Sequence, residues 1–210
     1  MPGMWHFEDV QIQLVDTPPV TAEHMPAGLL GTVRSSDIVA LVVDASADPL
    51  EQAEMVMGLL ACRGVGLRSL PHHELDVSDP GLHSGILIAN KIDCARAEDI
   101  ATLRELHAGR VEVQTVSALT GEGLNDLQRR LWQLLNVIRV YTRQPGKPPD
   151  LQKPFTLASG STVQDLAATI HRELPERMKF ARIWGDGRFS GQHVHRTEPL
   201  RDKDIVEVHE

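Results

Sequence analysis

Asn90-Lys91-Ile92-Asp93 closes the apolar run Gly85-Ile86-Leu87-Ile88-Ala89, and these four residues have the types and spacing to recognise a purine. A carboxylate accepts two hydrogen bonds at once, so Asp93 can clamp a ring N–H together with the neighbouring exocyclic amine, a donor pair that guanine offers and adenine lacks. The Asn90 amide donates and accepts, and can tie the loop to its neighbours and to the base. The Lys91 stem can lie over the ring with its ammonium in water. Asn and Asp also end many buried strands simply by satisfying turn backbone, so the assignment needs company from elsewhere in the chain.

Strands and helices supply it. Val10-Gln11-Ile12-Gln13-Leu14-Val15 alternates after Met4-Trp5-His6-Phe7 and Glu8-Asp9, which predicts a hairpin whose second strand ends at Asp16. Thr17-Pro18-Pro19 then forces a turn, since proline cannot donate to a ladder. A helix-like stretch over 26–35 precedes Asp37-Ile38-Val39-Ala40-Leu41-Val42-Val43-Asp44, a strand apolar enough to be buried on both faces. Asp48-Pro49 caps the next helix, and residues 64–84, rich in Gly, Pro, His and Asp, read as a long connection. His72, His73 and Glu74 have no second ligand cluster at fixed spacing, which argues against a metal site there. A helix near 98–107, a strand over 111–116 ending at Ser117-Ala118, and a helix with Leu124, Leu127, Leu131, Leu134 and Leu135 on one face through about Val137 complete this part.

Strands alternating with helices predict an α/β fold with a mostly parallel sheet and helices on both faces, which binds ligands at the carboxyl ends of its strands. Asp16, the loop Asn90 to Asp93, and Ser117-Ala118 are all expected there. Pro and Gly over 141–150 read as a linker, so a first domain over 1–140 and a second over 151–210 are expected. The second has a strand at Pro154-Phe155-Thr156-Leu157, a helix start at Ser161-Thr162-Val163-Gln164-Asp165, and strands at Phe180–Trp184 and Asp204–His209. That is a small sheet on one helix, with His193 and His195 as surface residues.

The sequence resembles the G domain of Obg- and DRG-type GTPases (HSR1-related GTP-binding proteins) joined to a TGS domain. Asp16-Thr17-Pro18-Pro19 resembles the D-x-x-G loop of that family, Asn90 to Asp93 its N-K-x-D loop, and Ser117-Ala118 its S-A loop, whose backbone contacts the guanine oxygen. Gly160-Ser161-Thr162-Val163 and Leu200–Val206 resemble the ubiquitin-like, β-grasp TGS domain. The resemblance implies GTP and GDP binding, slow hydrolysis, Mg held near Asp16 through water, and a ribosome or RNA partner reached through the TGS domain. Two departures stand out. Pro19 replaces the loop glycine whose N–H meets the terminal phosphate, and G-x-x-x-x-G-K-S/T, the phosphate cradle, is absent from the 210 residues. The expectation is a partial P-loop GTPase-like domain that begins after the cradle, binds guanine nucleotide weakly, does not hydrolyse GTP by itself, and self-associates through strand edges left without their neighbour. The alternative is an adaptor whose TGS domain carries the function on a G-domain scaffold.

Composition agrees with a globular chain: 41% hydrophobic, 24% charged, net charge -8. No apolar run approaches a membrane span, and Met1–His6 lacks the pattern of a signal peptide, so a cytoplasmic protein is expected. Cys62 and Cys94 follow no metal spacing and read as structural thiols in a reducing compartment. The acidity lies in residues 1–150, with 12 Lys and Arg against 20 Asp and Glu, while 151–210 holds nine of each. A nucleic-acid contact, if made, is expected from the tail around Arg177, Lys179, Arg182 and Arg188.

Overall fold

The computed structural model describes residues 2–21, 25–26, 28–76 and 78–210. The chain divides into two compact units, one built mainly from residues 15–135 and the other from 4–14 with 136–210.

At the start, β1 (Pro2–Phe7) and β2 (Val10–Val15) form a two-stranded ribbon of their own. The hairpin expected there is present. Its second strand, however, is not part of the parallel sheet, so Asp16 is not delivered to that sheet's carboxyl edge as expected. The alternation of Val10, Ile12 and Leu14 specifies an extended strand but leaves open which neighbour it pairs with.

In the first unit, α1 (Leu29–Ser35) precedes β3 (Val39–Asp44), and α2 (Pro49–Ala61) begins where the Asp48 carboxylate accepts from the Glu51 N–H at 3.0 Å with proline in the first turn. The supposed connection over 64–84 holds a further short strand, β4 (Gly66–Arg68), and a 3-10 turn at His72–Glu74. Next come β5 (Leu82–Asn90), α3 (Ala97–His107), β6 (Val113–Thr115) and α4 (Leu124–Leu135). β5 pairs in parallel with β3 along residues 85–90, with β4 along 82–84 and with β6 along 87–89. Having neighbours on both sides explains its near-continuous apolar run, in which Ile86, Leu87 and Ala89 are fully buried. β3 is an end strand of this sheet, and its Val42 is 60% exposed.

The second unit opens with β7 (Val137–Thr142), followed by β8 (Asp150–Ala158), α5 (Val163–Ile170), the single turn α6 (Leu174–Arg177), β9 (Phe180–Trp184), β10 (Gln192–Val194) and β11 (Asp204–His209). The sheet order is β10-β9-β11-β7-β8, with β11 and β7 parallel and the other pairs antiparallel. Val163, Leu166 and Ala167 of α5 are buried with Val140, Ala181, Ile183 and Val206 in one core. Thr162 and Asp165 start α5 with a reciprocal capping box.

The boundary expected around 141–150 falls instead at Asn136. Its φ of +48° ends α4 and turns the chain directly into β7. Val137-Ile138-Arg139-Val140-Tyr141 prolongs the apolar pattern of the helix in sequence, yet it is an inner strand of the second sheet, with Val140 fully buried. The Pro- and Gly-rich stretch is the loop between β7 and β8, with a turn from the Lys147 N–H to the Gln144 carbonyl at 3.0 Å. Its composition marks a turn as readily as a linker.

Candidate guanine-binding site

β3, β5 and β6 end side by side. Asp44 is in register with Asn90 and Ala89 with Thr115, the Ala45 N–H donates to the Asn90 carbonyl at 2.8 Å, and the Val116 N–H donates to that of Ala89 at 2.9 Å. Three loops therefore leave the sheet at one edge, the place where parallel sheets bind ligands.

The Asn90 loop is held from its neighbours. Asn90 Oδ1 accepts the Ala118 N–H at 3.0 Å, and the Ile92 N–H donates to the Val116 carbonyl at 3.1 Å. Lys91 takes a left-handed φ of +66°, and Lys91 Nζ lies 2.5 Å from Asp44 Oδ2. Asp44 also accepts from the Ser46 hydroxyl and N–H. Lys91 and then Ser46 hold its carboxyl down at about 2, and Asp44 in turn raises the Lys91 ammonium. The Lys91 head thus has a fixed acid partner where the sequence suggested open water. Asp44 is the residue that sequence reasoning missed; its place at the end of an apolar strand was the available signal.

Asp93 is exposed on a 3-10 turn, Ile92–Cys94. Hydrogen bonds from the Ser117 hydroxyl, then from Cys94 Sγ at 3.2 Å to Oδ2, keep its carboxyl below the usual range and therefore ionised. Ser117 is fully buried. Its N–H donates to the Glu122 carbonyl, its carbonyl accepts from Gly121, and its hydroxyl oxygen accepts the Thr120 N–H at 3.1 Å. That tight loop requires Gly123, because a Cβ there would stand 2.1 Å from the Thr115 carbonyl oxygen. An exposed, ionised carboxylate on a braced loop suits a ligand presenting two adjacent N–H donors.

Asn90, Lys91, Asp93, Ser117 and Ala118 are thus gathered at one edge, whereas Asp16 lies exposed beyond β2, outside the sheet. Among the described residues no group of three or more His, Cys, Asp or Glu could hold a metal ion. Cys62 and Cys94 are both exposed, which corrects their reading as structural thiols.

In the second unit, Arg139 is buried and is met by Asp202, Glu8 and Asp9, with Tyr141 donating to Asp9. One sheet face stacks Phe180 between His193 and His209, with ring centroids 4.5 and 4.4 Å away, and lays Arg143 over Trp184 at 4.4 Å. The expected basic cluster does not form one surface: Arg188 is buried against Glu198 and Asp204, and Arg177 pairs with Glu173. Arg182 donates to His193 at 3.0 Å.

Known proteins agree with this architecture. The TGS domain family matches residues 138–210. The chain is 25% identical to Developmentally-regulated G-protein 1 of Arabidopsis thaliana over 99% of its own length and 66% of that protein's. It is 23% identical to an uncharacterized GTP-binding protein of Methanocaldococcus jannaschii, covering 99% of this chain and 68% of the other. It therefore spans about two thirds of the length of these relatives. Among solved structures, a GTP binding protein from Pyrococcus horikoshii superposes with a TM-score of 0.68 at 17% identity, covering 99% of this chain and 87% of that one. The YchF GTPase of Schizosaccharomyces pombe superposes at 0.54 with 12% identity, covering 87% and 75%. At such identities these two likenesses establish the fold alone, a mixed α/β architecture. By sequence along nearly its whole length the chain is similar to these DRG-type GTP-binding proteins, and its residues 138–210 match the TGS domain family.

Proposed function

We propose that this chain is a regulatory guanine-nucleotide-binding protein, with Asp93 selecting the base and the TGS domain engaging an RNA or ribosomal partner. The observation that supports base recognition is the convergence of Asn90, Asp93 and Ser117-Ala118, with Asp93 ionised, exposed and braced by Ser117. Asn90 and Ala118 tie the two loops together, and Lys91 is aligned by Asp44. GTP and GDP are the ligands, and Mg arrives with the phosphates. Because the 210 residues contain no G-x-x-x-x-G-K-S/T, phosphate affinity is low and the chain by itself does not hydrolyse GTP.

Calorimetric titration with GTP and Mg tests this reading. Weak binding that prefers guanosine over adenosine nucleotides, and that moves toward xanthosine nucleotides in Asp93→Asn, is expected. Equal affinity for all three nucleotides in both proteins overturns the base assignment, and submicromolar GTP binding overturns the reading of the phosphate site.

A second reading, an adaptor in which the first unit is a scaffold, is favoured by the sheet face carrying Phe180, His193, His209 and Trp184 with Arg143. Aromatic rings beside arginine suit stacking of unpaired bases. Salt-sensitive RNA binding in Asp93→Asn equal to that of the parent chain would support it. The end strand β3, with Val42 exposed, is the edge through which copies would self-associate.

A further inference from the structure

In the first unit, a cavity of 760 Å³ opens where β4, the end of α3 and β6 meet, and three arginines, Arg68, Arg104 and Arg110, line it. They lie in a part of the chain where acids outnumber bases, with Arg104 and Arg110 exposed to solvent and Arg68 half-buried. The acid that lines the cavity, Glu112, is already engaged: Oε2 takes Arg130 Nε at 2.5 Å and Oε1 takes Gln114 Nε2 at 2.5 Å. Arg68 and Arg104 are anchored by neutral acceptors. Arg68 Nη1 donates to the Gly109 carbonyl at 2.9 Å, and Arg104 Nη2 donates to Thr115 Oγ1 at 3.2 Å. These bonds position the guanidinium groups without neutralising them and leave their other N–H donors available. The Gly109 turn, at a φ of +75°, ends α3 and sets Arg110 at the same opening. Leu70 and Val113 add apolar wall.

We propose that this cavity is an anion site that takes a small phosphorylated molecule, its phosphate oxygens held by Arg68, Arg104 and Arg110. Guanidinium groups match phosphate oxygens with paired N–H donors. The apolar wall of this open groove gives the body of an ester a surface to lie against. Nothing in the guanine-binding assignment requires it.

The test is titration of the 210-residue chain with inorganic pyrophosphate and with ADP, whose base lacks the donor pair that Asp93 would clamp. Saturable binding of both is expected. Equal affinities mean that phosphate alone is read, and tighter ADP binding means that the ester body is used as well. Arg104→Gln and Arg110→Gln should each weaken pyrophosphate by about tenfold or more, the loss expected for charge-assisted hydrogen bonds. Without anion, Arg110→Gln should melt at or above the temperature of the parent chain, because it relieves repulsion and breaks no anchoring bond; a clear fall would mark a structural role and overturn the assignment. Binding should persist in Asp93→Asn. Absence of saturable binding, binding unaffected by both arginine changes, binding lost in Asp93→Asn, or binding of polynucleotide only would each overturn the proposal.

Discussion

Lys91 Nζ sits 2.5 Å from Asp44 Oδ2, joining the ends of two neighbouring parallel strands across the proposed base site. The pair is solvent-accessible, so its value lies in aligning the Lys91 stem rather than in holding the fold. Asp44→Asn should leave the melting temperature unchanged while weakening guanine nucleotide binding several-fold, about the effect of one misplaced contact. Thermal melting and calorimetry on the same preparation separate the two effects.

Asn90→Ala removes the acceptor of the Ala118 N–H. Because that bond joins the loops after β5 and β6, the Ala118 amide should exchange with solvent at least about tenfold faster. The buried Ala89 amide is the internal control. Hydrogen exchange read by NMR would show whether the loosening stays local.

Arg139 is buried and its guanidinium meets three carboxylates. Arg139→Met should destabilise the second unit by about 2–4 kcal/mol, less than a fully buried ion pair because Asp202 and Glu8 keep some solvent. Bonds from Arg139 lower Glu8; burial raises Asp9 and Asp202, but bonds from Tyr141 and Arg139 to Asp9, and from Arg139 to Asp202, leave both below the ordinary range. Stability from these groups is full above the ordinary carboxylate range, near about 4, and is lost as pH falls through the lowered values. Chemical denaturation at a series of pH values should show this acid slope in the parent chain and a shallower one in the variant.

His107 is fully buried, and among the described residues neither ring nitrogen has a hydrogen-bond partner; Nε2 lies 3.9 Å from Glu54 Oε1. Burial lowers its pKa, Glu54 opposes the shift and Arg110 adds to it. The folded state favours neutral imidazole, so this contribution is full above about 6.5 and is lost as pH falls below that value toward the lowered one. His107→Leu should flatten stability against pH in that window. Urea midpoints measured across the same range would read the change directly.

What the sequence determined by itself is local. β9 and β11 lie within the residues from which they were read, Asp48 and Thr162 start helices as their side-chain chemistry requires, and the loops ending at Asp93 and Ala118 follow apolar strands. Alternation, helical spacing and capping all act within a few residues, so composition and order are enough to show them. Tertiary structure decided the rest. It made an inner strand of Val137–Thr142, where the helix was expected to end and the linker to begin, set β2 in a ribbon apart from the parallel sheet, and buried the Arg188 side chain against Glu198 and Asp204. It also brought Asp44 to Lys91, and Arg68 to the cavity shared with Arg104 and Arg110. These residues are far apart in sequence and meet because burial of two apolar cores selects the strand pairings. A polar side chain's partner is a consequence of that pairing, which its immediate neighbours in the chain do not encode.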